Sequence, residues 1–309
     1  MMKGLELCER YFTEVGAPMI EGKFGDYRER IAAGLVGDGS ECFEFDDELS
    51  YDHDWGPAFC LWLTKADFEN TGTQLQSALN ELPGEFEGFG PRKESAWGSG
   101  RVGVFEIGQF YRKFIGIDHP PENLLEWRRI PEINLAAATN GKVFVDPLRE
   151  FTAFQNRLKE FYPEDVRLKK IASRCMTIAQ SGQYNYPRCI KREEYVAAQW
   201  AETKFITDAI SLVFLLNKQY RPFYKWMHRA MESLPILGEQ IHKLISDIVI
   251  THDYQQKALL MEETAQILIG QLRQDGLSDS ASDFLLDHGP IVQQKIHDPQ
   301  IRSIDVWAE

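Results

Sequence analysis

Gly37-Asp-Gly-Ser-Glu-Cys-Phe-Glu-Phe-Asp-Asp-Glu-Leu-Ser-Tyr-Asp-His-Asp-Trp55 is the stretch on which the reading of this chain turns. Gly39 and Ser40 stand ahead of Asp52 with 11 residues between them, and Asp52 and Asp54 flank His53. Upstream, Tyr27 to Val36 becomes apolar and ends in glycines, as a strand running into a turn does. Gly34, Gly37 and Gly39 put small residues where backbone must bend sharply or approach a ligand closely. Downstream, W-G-P-A-F-C-L-W-L from Trp55 to Leu63 reads as a second strand interrupted near Pro57.

On a strand, Asp52 and Asp54 would point to the same side as paired carboxylates. Two like charges repel, and a divalent cation is the simplest compensation. Mg²⁺ takes one or two protein carboxylates together with substrate phosphates and waters, which suits so sparse a set. Zn²⁺ suits it poorly, because no His/Cys cluster has the spacing. His53 would face the other way, as packing or outer support. The Gly39-Ser40 turn would leave amide groups free for a phosphate, with the Ser40 hydroxyl as a further donor. It does not match the G-x-x-x-x-G-K-[ST] phosphate loop. The alternative of equal weight is a solvated acidic turn made of Asp46, Asp47, Glu48 and Asp52. Trp55, Phe59, Leu61 and Leu63 favour the first reading, since they suggest carboxylates at the edge of a packed sheet.

Working outward, Gly4 to about Val15 has Leu5, Cys8, Tyr11, Phe12 and Val15 at helical spacing. Lys65 to Leu82 is helical again, with Phe68, Leu75, Leu79 and Leu82 as its apolar positions. Gly84 to Gly100 is glycine-rich and mixed in charge, a surface loop bordering the site. Arg101 to Ile107 alternates as a third strand, with Val102, Val104 and Glu106 on one face. Beyond Gly116 the pattern is helix after helix, apart from K-V-F-V-D-P at 142–147. The spans are 149–161, 165–180, 192–218, 223–233, 236–249, 253–273 and 279–287. The expected class is therefore α+β: a small mixed sheet with flanking helices over 1–120, then an all-helical bundle over 121–309.

The 309 residues carry a net charge of −13, from 47 acidic and 34 basic side chains. That disfavours a nucleic-acid partner held by general electrostatics, because phosphate backbones need a basic surface. Free nucleotides remain compatible, since Mg²⁺ and a few basic groups neutralise their phosphates. Cys8, Cys42, Cys60, Cys175 and Cys189 are widely spaced and contain no C-x-x-C pair, which reads as reduced thiols of a cytoplasmic protein. No apolar leader follows Met1-Met2-Lys3 and no apolar run of 18 residues occurs, so neither secretion nor membrane spanning is expected.

Gly-Ser, a spacer of about ten residues and Asp-x-Asp resemble the signature of the polymerase-beta-type nucleotidyltransferase superfamily. More narrowly, G-L-V-G-D-G-S-E-C-F-E-F-D-D-E-L-S-Y-D-H-D-W-G-P at 34–57 resembles a bacterial family of nucleotidyltransferase-like proteins carrying a domain of unknown function, DUF4037. F-L-L-N-K-Q-Y-R-P-F-Y-K-W-M at 214–227 is similar to the same family. The resemblance implies a polymerase-beta-type domain ahead of the helical bundle, and two-ion transfer of NMP from an NTP, with ATP the expected donor, to a hydroxyl of a small-molecule or protein acceptor. On that pattern Asp52 and Asp54 would bind Mg²⁺, and Gly39 and Ser40 the outgoing phosphates. Glu106 would complete the ligand set as third carboxylate, with Asp146 as its rival. By analogy with related two-domain enzymes, Lys225 would meet the phosphates and Arg221 and Tyr224 would line the pocket; a helix end with Trp226 in the core is the alternative. Arg188 and Arg192 form a second basic cluster that suits an anionic acceptor or a solvated loop. Two other functions stay open: a non-catalytic nucleotide-binding or antitoxin-like interaction protein, and a metal-dependent phosphohydrolase. An effective third carboxylate near the aspartates separates the first of these from a transferase.

Overall fold

The computed structural model describes residues 2–93, 95, 98 and 100–309. Among these residues, four short strands form one mixed sheet in the order β3-β2-β1-β4: β1 Ala32–Leu35, β2 Cys60–Leu63, β3 Gly103–Glu106 and β4 Lys142–Val145. β1 runs antiparallel to β2 and to β4, while β2 and β3 are parallel. A parallel pair needs a crossover, and here it is a helix, α3 Lys65–Asn80, described with the others below.

Around the sheet lie α1 Gly4–Tyr11, α2 Ala17–Lys23, α3 itself and α4 Ile107–Ile115. Then come α5 Leu124–Arg129, α6 Glu132–Thr139 and α7 Glu150–Lys159. The remaining helices are α8 Glu164–Ile178, α9 Tyr186–Lys191, α10 Tyr195–Leu216, α11 Tyr224–Met231 and α12 Gly238–Ile250. They end with α13 Tyr254–Gln274, α14 His288–Gln294 and α15 Pro299–Arg302.

The local causes are ordinary. The Thr64 hydroxyl accepts the Asp67 amide at 3.2 Å and opens α3. The Glu106 carboxylate accepts the amides of Gly108 and Gln109 and opens α4, which stops at Gly116 in the left-handed region. β2 alternates as a two-faced strand: Leu61 and Leu63 join Phe12, Ile20, Ala33 and Leu75 in one buried cluster. Trp62 points to the other face and stacks on Phe151, ring centroids 3.7 Å apart.

The chain divides into two compact units, Met1–Pro121 with Ile130–Glu160, and Glu122–Arg129 with Phe161–Glu309. The sequence reading gave everything after residue 120 to the helical half. β4 instead pairs with β1 as the outer strand of the sheet, so the chain returns to the first unit before leaving it for good. The helix expected over 279–287 is also displaced: Ser278, Ser280 and Ser282 spend their hydroxyls on nearby groups, and α14 starts at His288. The loop expected over Gly84–Gly100 is seen in part; its Glu94, Ala96, Trp97 and Ser99 lie outside the described residues.

Candidate functional site at one end of the sheet

The register determines which residues share an end of the sheet. Gly34 pairs with Cys60 and Leu35 with Lys142, while Cys60 pairs with Gly103. The exit of β1 therefore lies beside the entries of β2, β3 and β4. The Gly37–Ser40 turn leaves β1 at this end. Gly37 has φ +128° and is clamped by Asn140, whose amide group accepts from its N–H at 2.9 Å and donates to its carbonyl at 2.8 Å.

Gly39 is required for a different reason. A Cβ there would sit 2.6–2.9 Å from the Glu41 carboxylate. Glu41 is buried and bound by Arg92 at 2.9 Å. Among the described residues the amides of Asp38, Gly39 and Ser40 have no hydrogen-bond partner, while the Ser40 carbonyl accepts from Phe43 and Phe45. Open amides on a glycine turn suit an anion.

Asp54 reaches the same end from the other side. Its amide donates to the Lys93 carbonyl at 2.8 Å, and its carboxylate is buried. Oδ1 accepts the Ser95 amide at 2.9 Å, Oδ2 accepts the Ser95 hydroxyl at 2.6 Å, and Arg101 lies 3.5 Å away. Burial works against the charged form, but the two Ser95 hydrogen bonds, then Arg101 and Arg92, outweigh it and hold the carboxyl below its usual range. The Arg92 backbone also passes close to Gly56, so the residue whose guanidinium binds Glu41 runs beside the segment that follows Asp54.

The strand expected beneath the aspartates is not there. Asp52 closes a 3-10 turn, Glu48–Asp52, and Asp54 has φ +53° in the left-handed region, six residues before β2 starts. The same-face rule for strand residues therefore does not apply to them. Asp52 is exposed and lies against the His53 imidazole at 2.8 Å, so His53 is a direct neighbour of Asp52 and not on an opposite face.

Glu106 pairs with Leu63, at the far end of the parallel pair from the entry of β2, and its two oxygens cap α4. Asp146 follows β4 at that same far end and accepts the Thr152 amide at 2.7 Å near the start of α7. The structure thus brings Gly39, Ser40 and Asp54 to one end of the sheet, with Asp52 two residues from Asp54, and puts both candidates for third carboxylate at the other. Sequence reasoning missed Asn140, Glu41, Arg92, Ser95 and Arg101. Only the G-P-R-K-E-S run at 90–95, in a loop already expected to border the site, signalled any of them.

The second unit holds the remaining candidates. No helix spans 217–223, so Tyr220 and Tyr224, four residues apart, do not share a helical face. Tyr220, half-buried, stacks on the buried Phe161 at 4.7 Å, and Pro222 sits in the link before α11. Arg221 lies beside the Met227 sulfur at 3.6 Å. Tyr224 is exposed, and the Lys225 ammonium lies over the Trp226 ring, 4.5 Å from its centroid. Arg188 lies over the Tyr184 ring.

A pair of Mg²⁺ ions asks for converging carboxylates with free oxygens. Asp52 has an exposed carboxylate, Asp54 is taken up by Ser95 and Arg101, and no group of three or more His, Cys, Asp or Glu side chains converges among the described residues. The residues present do not fit a two-ion centre. The five cysteines are free thiols, and burial pushes Cys8 and Cys60 up to about 12. Among the described residues, no helix is long and apolar enough to cross a membrane.

The class defined by these observations is a two-unit α+β protein: a small mixed sheet with flanking helices, followed by a large all-helical region. Residues 127–227 match the family described as Domain of unknown function (DUF4037). A crystal structure of a nucleotidyltransferase-like protein from Exiguobacterium sibiricum 255-15 is similar at 10% identity. The alignment covers 87% of this chain and 77% of that one, with a TM-score of 0.39, and no residue role follows from it. No curated protein matches.

Proposed function

We propose that the protein binds a nucleoside triphosphate, ATP first among those to test, where the Gly37–Ser40 turn meets the Asp52–Asp54 segment. The reading is that of a nucleotide-binding protein of nucleotidyltransferase type, without efficient transfer. What supports it is the register of β1 against β2, in which Gly34 pairs with Cys60, so that the turn leaving β1 and the segment entering β2 lie at the same end of the sheet. Glycine amides, the Ser40 hydroxyl and the Arg92 and Arg101 side chains around that end would complement phosphate oxygens. Transfer would need a third carboxylate beside the aspartates, and at the other end Glu106 caps α4 while Asp146 accepts the Thr152 amide.

A second reading, NMP transfer to a hydroxyl acceptor with release of pyrophosphate, is favoured by the order and spacing of the two motif halves. The deciding experiment titrates labelled ATP, GTP, CTP and UTP with Mg²⁺ against wild type and Asp52→Asn, then assays pyrophosphate with a metabolite extract. Binding weakened in the variant, with no pyrophosphate above the variant's background, supports the binding protein. Pyrophosphate release that depends on Asp52 replaces it with the transferase. Nucleotide breakdown with no acceptor present would instead indicate a phosphohydrolase, and failure to bind any of the four sinks all three readings.

A further inference from the structure

α4 starts where β3 ends, and its last turn returns to the residues that precede β3. There the Lys113 ammonium donates to the Gly100 carbonyl at 3.1 Å and lies over the Phe105 ring, 3.9 Å from its centroid. Gly100 is followed by Arg101, whose guanidinium faces Asp54. The next residue of the helix meets the glycine turn: a Cβ at Gly37 would lie 3.1 Å from the Phe114 ring. The Asn134 side chain of α6 donates to the Phe114 carbonyl at 2.8 Å and holds this turn of α4 in place. The last turn of α4 thus belongs to the same end of the sheet as the Gly37–Ser40 turn.

Arg92, Arg101, Lys113 and Lys142 all stand at this end, and three of them are met by carboxylates. Glu41 lies 2.9 Å from Arg92, Asp54 3.5 Å from Arg101 and Glu9 2.6 Å from Lys142. Among the described residues Lys113 makes no ion pair, and its one hydrogen bond goes to a neutral carbonyl. An ammonium carries three donors, so two are left over. Partial burial holds it below the usual lysine range, with Cys60 opposing, as befits a cation short of an anion. A guanidinium already neutralised by a carboxylate holds a polyanion weakly, and the amides of a glycine turn carry only partial charges. Lys113, which is exposed, supplies the full charge that the turn lacks.

We infer, resting on the nucleotide-binding reading of this end of the sheet, that Lys113 is a phosphate-binding residue of that site. With a nucleoside triphosphate bound beside Gly39 and Ser40, its ammonium donates to phosphate oxygens with the two hydrogens that Gly100 does not take. Such charge-assisted hydrogen bonds are the strong ones. The contacts with Gly100 and Phe105 already restrain the side chain, so less rotamer freedom is lost on binding than for an unrestrained lysine. The residue acts in its protonated form, as a counter-charge.

The test titrates the full chain with ATP, GTP, CTP and UTP in the presence of Mg²⁺, as wild type, Lys113→Met and Lys113→Arg. The triphosphate that binds should be weakened roughly tenfold or more in Lys113→Met, and Lys113→Arg should restore it to within about threefold of wild type. Raising the pH towards 10.5 should weaken binding by wild type and spare Lys113→Arg, because the lysine gives up its proton there and the arginine does not. A second measurement needs no variant. Nucleotide at about ten times its Kd should slow acetylation of Lys113 by acetic anhydride roughly tenfold, read by peptide mass. Equal binding by wild type and Lys113→Met, equal loss in both variants, or acetylation unaltered by nucleotide overturns the role of Lys113 and leaves the nucleotide reading standing. Failure of the wild type to bind any of the four overturns that reading, and the role of Lys113 with it.

Discussion

Asp54 and Ser95 are joined twice, hydroxyl to Oδ2 at 2.6 Å and amide to Oδ1 at 2.9 Å, so one serine takes up both oxygens of the buried carboxylate. The pair sits at the sheet end where a nucleotide is proposed to bind, and it keeps Asp54 charged and oriented.

Ser95→Ala should cost about 1.5–3 kcal/mol at neutral pH, the ordinary scale for one hydrogen bond to a charged group. Asp54 has its carboxyl lowered in the folded state from 3.8, so its stabilisation is complete above that value and is lost as pH falls through the folded pKa. The difference between wild type and Ser95→Ala in urea unfolding should therefore be full at pH 7 and shrink below about pH 4. A difference that grew on acidification would contradict the pairing.

Glu106→Ala should lose a cap and no ligand. Two amides of α4 give up their acceptor, which costs about 1 kcal/mol. Nucleotide affinity should stay within a factor of about two, since such a cap is local. If Glu106→Gln weakened binding as much as Asp52→Asn, the placement of Glu106 away from the site would be wrong.

Gly39→Ala and Gly22→Ala make a contrasting pair. The first drives a methyl group against the Glu41 carboxylate, which is pinned by Arg92, and should cost about 1–3 kcal/mol along with most nucleotide binding. A Cβ at Gly22, in α2, meets nothing within 4 Å, so the second should stabilise by about 0.5 kcal/mol. Calorimetric melting of both variants checks the two signs at once.

Lys169 supplies a test on the alkaline side. Burial, and then the Arg128 charge, bring its ammonium from 10.5 down to about 8, with Asp305 opposing. The unfolded chain holds this proton more tightly than the folded one. The penalty is thus full below pH 8 and is relieved as pH rises from about 8 towards 10.5. Wild-type stability relative to Lys169→Met should climb across that window, as read by chemical unfolding at a series of pH values.

Much of the fold was legible because its causes are local. α3 was found within two residues at its C-terminal end, since Thr64 caps it and its apolar positions repeat at helical spacing. β3 followed from alternation, β2 from the short apolar and aromatic run that ends at Leu63, though it begins only at Cys60, and α10 from its long apolar content. The acidic segment misled for an equally physical reason. Two aspartates flanking a histidine before an apolar run look like the start of a strand, but the Asp47 cap turns the chain into a 3-10 turn there. Asp54 then takes its amide partner from Lys93, 39 residues away, and no local pattern encodes that bond.

The sequence by itself determined helices such as α3 and α10, the strand β3, the glycine turn after β1 and the acidic charge balance, because side-chain spacing, caps and charge act between near neighbours. Only the tertiary structure decided which of these meet. Asn140 clamps Gly37 across 103 residues, and the register of four short strands sends Asp54 to one end of the sheet and Glu106 to the other. The same holds for α8, whose cations are met by residues more than 130 positions further on. Such pairings arise from the packing of whole elements, where the burial of apolar faces sets the register and the polar groups must find partners in the arrangement that results.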